Sequence, residues 1–476
     1  MPDTAFPARR RFRVGALPAA LLAAALGLLL AWGVVSQSPY LTVVALLEMS
    51  LAVAIFARPK LGLFAFVAIA NLLPFGVSPL KLFGFGPTFV DITLTAMLAG
   101  WLFWSFYQRR TVVGTRLAGP VLLYVGLAIT SLILGLDYSL SPERLRLFFK
   151  AINSTLLFFS VANCLESKVD LRRLTIALMV CGVIASVIAL LLLALPKSAA
   201  ADLLRALGPI GYPTGPDVLR PIADTDILRA IGSSVDPNVL GGLLMMVSAL
   251  LAGQLASTRP LLTRRWLCLM LAVAVAGLLL TYSRSALGGL LIGATVIGVY
   301  RDRRVLVALV IAALLLPLVP QSEVILGRLQ SGLAFQDRGA AMRLDEYRNA
   351  LAVISQYPWF GVGFGESPSI DLFLGVSSIY LLIGQEMGLV GLSSFLLILA
   401  LLGWEVVKGL ALTRDEEMRG VLQGLAAALI AATSAGLLDH YYVNVVFPHM
   451  IGLFWLYVGM AMVATNNAGA GRVAGP

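Results

Sequence analysis

The residues of this chain that could do chemistry are arginines at the ends of long apolar segments. Arg284 lies in the short connection TYSRSALGG between two apolar runs. A charge at that depth in a membrane is costly and usually has a polar partner or a ligand. Snorkelling to lipid phosphates is the alternative, but so short a connection restricts it, and we favour a ligand. The same argument applies more weakly to Arg146 and Lys150, which are four residues apart and would share a helix face.

Several arginines at one membrane boundary favour a phosphate-bearing ligand. A guanidinium binds phosphate oxygens through a forked pair of hydrogen bonds that an ammonium cannot match. A lipid-linked diphosphate fits best, because its tail suits a groove between spans and its charged head suits arginines. The sequence contains no acidic cluster with metal-ligand spacing and no P-loop. We therefore predict metal-free stabilisation of a departing diphosphate by arginines.

The stretch 338–366 has the features of a surface element that could cover such a site. From Arg343 onward, Leu344, Tyr347, Leu351 and Ile354 recur at spacings of three and four, which predicts an amphipathic helix. Proline 358 would end the helix, and the glycines at 361, 363 and 365 would then allow a close approach of the backbone to another group. Such a helix and loop could form a lid at the water–lipid boundary, or an ordinary surface helix with a loose connection.

The elements that must position these residues are membrane helices. The chain has 476 residues, of which 59% are hydrophobic and 13% charged. Its long apolar runs predict an all-α polytopic membrane protein with about 12–14 transmembrane helices. We expect fourteen crossings, at 14–35, 40–57, 61–77, 89–107, 117–136, 147–165, 174–195, 239–255, 266–281, 286–300, 305–319, 379–406, 421–437 and 445–463.

The basic residues orient these spans. With the N-terminus in the cytoplasm, 22 of the 35 Lys and Arg residues fall on the cytoplasmic side, and every cytoplasmic connector is basic. The net charge of +10 therefore reflects topology, and no nucleic-acid partner is expected. We predict a cytoplasmic basic tail (1–13), one membrane domain (14–466) and a cytoplasmic C-terminal tail (467–476). The two long outer loops are 196–238 and 320–378.

Four segments in order resemble a known family. They are RAIGSSVDPNVLGG, TYSRSALGG, RLDEYRNAL with YPWFGVGFG, and SSIYLLIGQEMGLVG. Together they resemble the O-antigen ligase and O-antigen polymerase superfamily, from about residue 144 to 463. The resemblance implies a fold similar to C-type glycosyltransferases and an undecaprenyl-diphosphate-linked glycan as donor, with no cofactor and no metal. It also implies the bacterial inner membrane, with a periplasmic active site and membrane lipid around it.

The resemblance carries over to individual residues. Arg229, Arg284 and Arg343 would contact the diphosphate, with help from Arg146 or Lys150. The ligases carry a His–Asn pair where this chain has Ser377–Ser378, so a different base is needed here. The two candidates are Glu386, inside an apolar segment, and His440, near the outer end of the last spans. Glu386 could equally be a buried polar group bonded to neighbouring helices, whereas a lone histidine at a span end, such as His440, is more often structural.

Three functions fit these features. A repeat-unit polymerase for O-antigen or exopolysaccharide would join one lipid-linked unit to another, with a chain-length regulator protein as a further partner. A ligase would move a finished glycan onto lipid A core. A transporter or flippase of lipid-linked glycans would do no chemistry, although we find no internal repeat of the kind transporters contain. The missing histidine favours the polymerase, and either enzyme would be a metal-independent inverting glycosyltransferase.

Overall fold

The computed structural model describes residues 39–74, 87–109, 111–135, 141–210, 212, 214–215, 218–222, 225–315, 317, 323–324, 327, 338–364 and 375–470. The predicted N-terminal tail and first span (1–13 and 14–35) lie outside these residues.

The described residues form an all-α structure. They contain no β-strand beyond one isolated bridge between Pro221 and Leu228. The helices in chain order are α1 (Pro39–Ala57), α2 (Pro59–Leu72), α3 (Phe89–Tyr107), α4 (Ala118–Leu134), α5 (Pro142–Cys164), α6 (Lys168–Ala194), α7 (Lys197–Arg205), α8 (Pro237–Leu255), α9 (Arg264–Leu280), α10 (Arg284–Tyr300), α11 (Arg304–Leu315), α12 (Arg338–Gln356), α13 (Ile379–Leu412), α14 (Glu416–Ala435) and α15 (Pro448–Ala470).

Each predicted span within the described residues corresponds to a helix. Seven of the described helices are long and apolar enough to cross a membrane: α3, α5, α6, α8, α13, α14 and α15. Five shorter apolar helices accompany them, at Val43–Ala57, Pro59–Leu72, Ala118–Leu134, Arg284–Tyr300 and Arg304–Leu315. The protein is therefore a polytopic helical membrane protein, as the composition predicts.

Two helices form the centre of the bundle. Residues 239–254 of α8 and 448–465 of α15 are buried throughout. A helix that is apolar on every side is stable only when other helices or lipid surround it. Helix α8 packs on α14 so closely that a Cβ on Gly253 would lie 2.4 Å from the Cα of Gly424. Small residues at such crossings let membrane helices approach, which favours van der Waals packing.

Helix α12 confirms the predicted amphipathic helix but presents a different face. It runs from Arg338 to Gln356 and ends two residues before Pro358. The sequence assigned Leu351 to the apolar stripe, but its side chain is 58% exposed, whereas Ala350 and Val353 are fully buried. Relative to the face that the sequence predicts, the helix is rotated about its axis, because Tyr347 and Ala350 pack against α13 in a cluster with Val376 and Leu382. This rotation turns the side of α12 that carries Arg343 toward the rest of the bundle.

Candidate functional site

Arg229 fixes the turn that precedes Arg284. Its Nε donates to the carbonyl oxygen of Thr281 at 2.7 Å, and its Nη2 donates to Oδ1 of Asn238 at 2.7 Å. Asn238 is held in turn by Asp236, whose side chain caps α8. The guanidinium therefore ties the loop before α8 to the turn after α9. Two of the predicted arginines meet at this turn.

The turn 281–285 adopts an unusual backbone conformation. Tyr282 has a φ of 52° and is buried, and Thr281 Oγ1 donates to the carbonyl oxygen of Leu278 at 2.6 Å. A tyrosine in the left-handed region costs free energy that surrounding contacts must offset. The turn makes Arg284 the first residue of α10, where it is half-buried. An arginine and a helix N-terminus together make this point of the surface strongly positive.

Asp439, in the connection between α14 and α15, links the remaining groups. Ser285 Oγ donates to its Oδ2 at 3.1 Å, and Nη2 of Arg343 lies 3.9 Å from the same oxygen. The backbone N–H of His440 donates to Oδ1 at 3.0 Å. The carboxylate is 5% exposed. Burial raises the pKa of Asp439, while His440 and Arg343 lower it. Asp439 therefore joins the turn 281–285 to α12 and His440.

Helix α12 is held on this cluster by two polar residues. The single O–H of Tyr347 is shared between the carbonyl oxygens of Leu437 (2.8 Å) and Ser377 (3.0 Å). Oε2 of Glu346 accepts the backbone N–H of Ser377 at 2.9 Å. The site that carries Arg343 is thus attached to the beginning of α13 and the end of α14.

The glycine-rich loop 358–364 closely approaches α13. Helix α13 is broken at Gly388, whose φ of 64° and ψ of −168° are not helical. The backbone N–H of Val362 donates to the carbonyl oxygen of Gln385 at 2.9 Å, and that of Gly363 donates to Glu386 at 3.0 Å. The N–H of Leu389 donates to Pro358 at 2.7 Å. The loop therefore supplies main-chain partners to groups that the break in α13 releases.

Glu386 lies in a cleft beside the arginine cluster. The walls of the cleft are mainly aliphatic and aromatic, and include Tyr124, Phe148 and Trp455. Tyr442, three residues after Asp439, also lines it. Arg144 lies within electrostatic reach of the Glu386 carboxylate. Glu386 is therefore a carboxylate in an otherwise largely apolar cleft, which adjoins the cluster through Tyr442.

Arg146 and Lys150, the two predicted site residues on α5, each form an ion pair with an acidic residue outside the arginine cluster. Nζ of Lys150 lies 2.5 Å from Oδ2 of Asp91, the residue that completes the capping box of α3. Both side chains are largely buried. Arg146 approaches Glu143 at 3.8 Å. Within the part of the chain that the structure describes, neither ion pair includes an arginine of the cluster. Lys150 is thus committed to an ion pair between α5 and α3.

The structure brings four predicted site residues into one cluster, namely Arg229, Arg284, Arg343 and His440. Nδ1 of His440 lies 3.8 Å from Oδ1 of Asp439, beyond hydrogen-bond distance. Sequence reasoning missed Asp439, and the signal available was an acidic residue immediately before His440 near the end of a span. It also missed Glu346 and Tyr347 as polar contacts of α12. Among the described residues, no three His, Cys, Asp or Glu side chains form a group that could hold a metal ion.

Comparison with known proteins identifies part of the chain. Residues 267–396 match the sequence profile of the family described as O-Antigen ligase. The match runs from α9 into α13, and so includes Arg284, Arg343 and Glu386. Arg229 and the Asp439–His440 pair lie outside it. No curated protein matches the chain.

Proposed function

We propose that this chain, which carries an O-antigen ligase domain of the O-antigen ligase and polymerase superfamily, is a repeat-unit polymerase. It would transfer an undecaprenyl-diphosphate-linked glycan to an acceptor sugar at the periplasmic face of the inner membrane. The observation that carries the proposal is the convergence of Arg229, Arg284 and Arg343 around the turn 281–285 and Asp439. These residues come from three separate segments of the chain.

In this proposal the arginines hold the donor. Arg284 and Arg343 bind the diphosphate through paired N–H donors, beside the first turn of α10, whose outward N–H groups favour an anion. Two N–H donors of Arg229 are used within the protein. Its main task is therefore to hold the turn and to add positive charge. The buried carboxylate of Asp439, 3.9 Å from Nη2 of Arg343, attracts the guanidinium toward the cluster.

The reaction is a single displacement at the anomeric carbon. The acceptor hydroxyl oxygen attacks C1 from the side opposite the diphosphate and forms the new C–O bond. The bond between C1 and the phosphate oxygen breaks, the diphosphate leaves with the electron pair, and the anomeric configuration inverts. The arginines stabilise the negative charge that develops on the leaving group, so no metal ion is required.

The residues at positions 377 and 378 favour a polymerase over a ligase. Serine stands at both positions, where the ligases carry His–Asn. In the structure the main chain of Ser377 is bonded to Tyr347 and Glu346 of α12. A side chain other than that of residue 377 must therefore accept the proton, and Glu386 and His440 are the two that the sequence suggests.

The test uses purified protein in detergent with a lipid-diphosphate-linked repeat unit as the only substrate. A polymerase forms glycans of two or more units and releases undecaprenyl diphosphate without lipid A core. A ligase forms product only when lipid A core is added, and a flippase forms none in either case.

Arginine variants connect this activity to the site. We expect Arg284→Ala to abolish product with normal membrane insertion, and Arg284→Lys to restore little, because an ammonium cannot make the paired hydrogen bonds. Arg304→Ala is the matched control, since Arg304 also begins an apolar helix but is exposed and lies in the basic connection before α11. Wild-type product levels from Arg284→Ala would contradict the assignment.

A further inference from the structure

We infer that Glu346 is the general base that accepts the proton of the attacking hydroxyl, an inference that rests on the proposed function. Glu346 follows Arg343 by three residues on α12, so the two side chains lie about one turn apart on the same side of the helix. Arg343 lies beside Asp439 in the arginine cluster. A carboxylate one turn from a diphosphate-binding arginine is close enough to serve a hydroxyl that attacks the neighbouring C1 atom.

The carboxylate of Glu346 is oriented by a hydrogen bond and, among the described residues, forms no ion pair with a basic side chain. Its Oε2 accepts the N–H of Ser377 at 2.9 Å. Among the described residues, its Oε1 has no hydrogen-bond partner and no ion pair with a basic side chain, and the residue is half-buried. Tyr347 holds the same turn of α12 through its O–H, which is shared between two main-chain oxygens. One oxygen is thus fixed by the fold, and the other can accept a proton from a bound molecule.

Asp439, the other acidic side chain of the cluster, already contacts groups of the protein through both carboxylate oxygens. Asp439 is buried and its two oxygens contact Ser285, the N–H of His440 and Arg343. Accepting a proton from the acceptor would remove the charge that holds Arg343. Asp439 is therefore better suited to orient the donor site than to activate the acceptor.

The two bases that the sequence suggests fit the geometry less well. Glu386 lies seven residues after Ile379, the first residue of α13, and therefore roughly 10 Å along the helix axis from the end that Glu346 contacts, at 1.5 Å per residue. It faces the largely apolar cleft. Among the described residues, Nδ1 of His440 is buried without a hydrogen-bond partner, and Oδ1 of Asp439 lies 3.8 Å away from it. The imidazole therefore lacks, at Nδ1, the orienting hydrogen bond that a general base uses. Glu346 has both the position and the orienting hydrogen bond.

Proton transfer to Glu346 accompanies the displacement at C1. The acceptor O–H bond breaks as its oxygen bonds to C1, and the proton passes to Oε1 of Glu346. The electron pair of the C1–phosphate bond leaves with the diphosphate. Glu346 then returns its proton to water at the outer face. No oxidant, reductant or further reactant is needed.

Glu346→Gln tests this role with little change in shape, because the amide oxygen can still accept the Ser377 N–H. We expect donor binding to be unchanged and kcat with a hydroxyl acceptor to fall on the order of 10²–10⁴-fold. Asp345→Asn is the matched control, because Asp345 is the adjacent carboxylate, is exposed, and pairs with Arg348 on α12. It should retain wild-type turnover, and Glu386→Gln and His440→Ala should lose far less than Glu346→Gln.

Azide separates proton removal from donor positioning. Azide attacks C1 as an anion and needs no base, so Glu346→Gln should form glycosyl azide at the wild-type rate. Arg284→Ala should form neither product.

Two results would overturn the role of Glu346 as the base. Full turnover of Glu346→Gln with the hydroxyl acceptor would show that another group accepts the proton. Equal loss of the hydroxyl and azide reactions would make the role of Glu346 structural. Either result leaves the proposed function standing. Wild-type protein that binds no donor and forms no product would instead contradict the proposed function itself.

Discussion

At the scale of single residues, the buried carboxylate of Asp439 has the largest structural role in the cluster. It contacts Ser285, His440 and Arg343, which come from three different elements. A buried carboxylate stripped of such partners would be strongly destabilising. The arginine site therefore depends on a residue that binds no substrate in the proposed reaction.

The titration of Asp439 gives a testable dependence of stability on pH. Because burial raises its pKa in the folded protein above the ordinary 3.8, the folded state binds more protons than the unfolded state in the window between the two values. The contribution of Asp439 to stability therefore falls as pH rises from about 3.8 through that window.

Asp439→Asn should remove this dependence, because asparagine does not titrate. We expect the thermal midpoint of the detergent-solubilised wild type, relative to that of Asp439→Asn, to decrease as pH rises above 3.8. The measurement is a pH series of melting curves for both proteins. A difference that stays constant or increases with pH would contradict the raised pKa.

At the scale of elements, the break in α13 and the loop 358–364 form one unit. The carbonyl oxygens of Gln385 and Glu386 accept N–H groups of the loop, and the helix is interrupted at Gly388. Because α12 leads directly into the loop, the position of Arg343 and Glu346 depends on how α13 is broken. The sequence suggested a backbone that approaches something closely, and the described glycines 361 and 363 approach protein main chain.

Gly388→Ala should disrupt this unit. A Cβ at Gly388 would lie 2.3 Å from the carbonyl oxygen of Trp359, and the φ of 64° is unfavourable for alanine. The conformation alone costs about 1–3 kcal/mol in non-glycine residues, and the clash adds to it. We expect a lower thermal midpoint and loss of transfer activity.

Gly403→Ala is the control for this substitution. Gly403 lies in the same helix, and a Cβ added there would meet open space. The change should therefore be neutral or stabilise the protein by roughly 0.5–1 kcal/mol. Equal stability of the two variants would show that the break at Gly388 is not required.

At the scale of the whole molecule, the orientation in the membrane determines whether the proposed chemistry is possible. The arginine cluster must face the periplasm to meet a lipid-linked glycan there. Two exposed residues suit labelling of the two sides: Asp226, in the first predicted outer loop, and Arg414, before α14.

Single cysteines at these positions test the orientation. In a background without Cys164, Cys181 and Cys268, we expect Asp226→Cys in intact spheroplasts to react with an impermeant thiol reagent. Arg414→Cys should react only after the membrane is opened. Reaction of Arg414→Cys alone in intact spheroplasts would put the cluster in the cytoplasm and contradict the proposed donor.

The sequence by itself determined the class of the protein and the approximate positions of its spans within the described residues. The position of a span depends on the hydropathy of about 20 consecutive residues, and its orientation depends on the Lys and Arg residues in the adjoining loops. Both are properties of short stretches of the chain. The predicted span at 89–107 therefore coincides with α3. The same local logic singled out Arg284, since a charge between two apolar runs is visible without knowledge of its neighbours in the fold, whereas Arg229 and Arg343 were assigned from motifs that resemble those of a known family.

Only the tertiary structure decided which of these charges act together. Lys150 and Arg284 look alike in the sequence, yet Lys150 pairs with Asp91 of α3, whereas Arg284 lies on a turn joined to Asp439. Ser285 and Asp439 are 154 residues apart, and Glu346 and Ser377 are 31 apart. Such contacts depend on how the helices pack around α8 and α15, and on the rotation of α12. Helix packing is a property of all the side chains at once, so no local pattern reveals it.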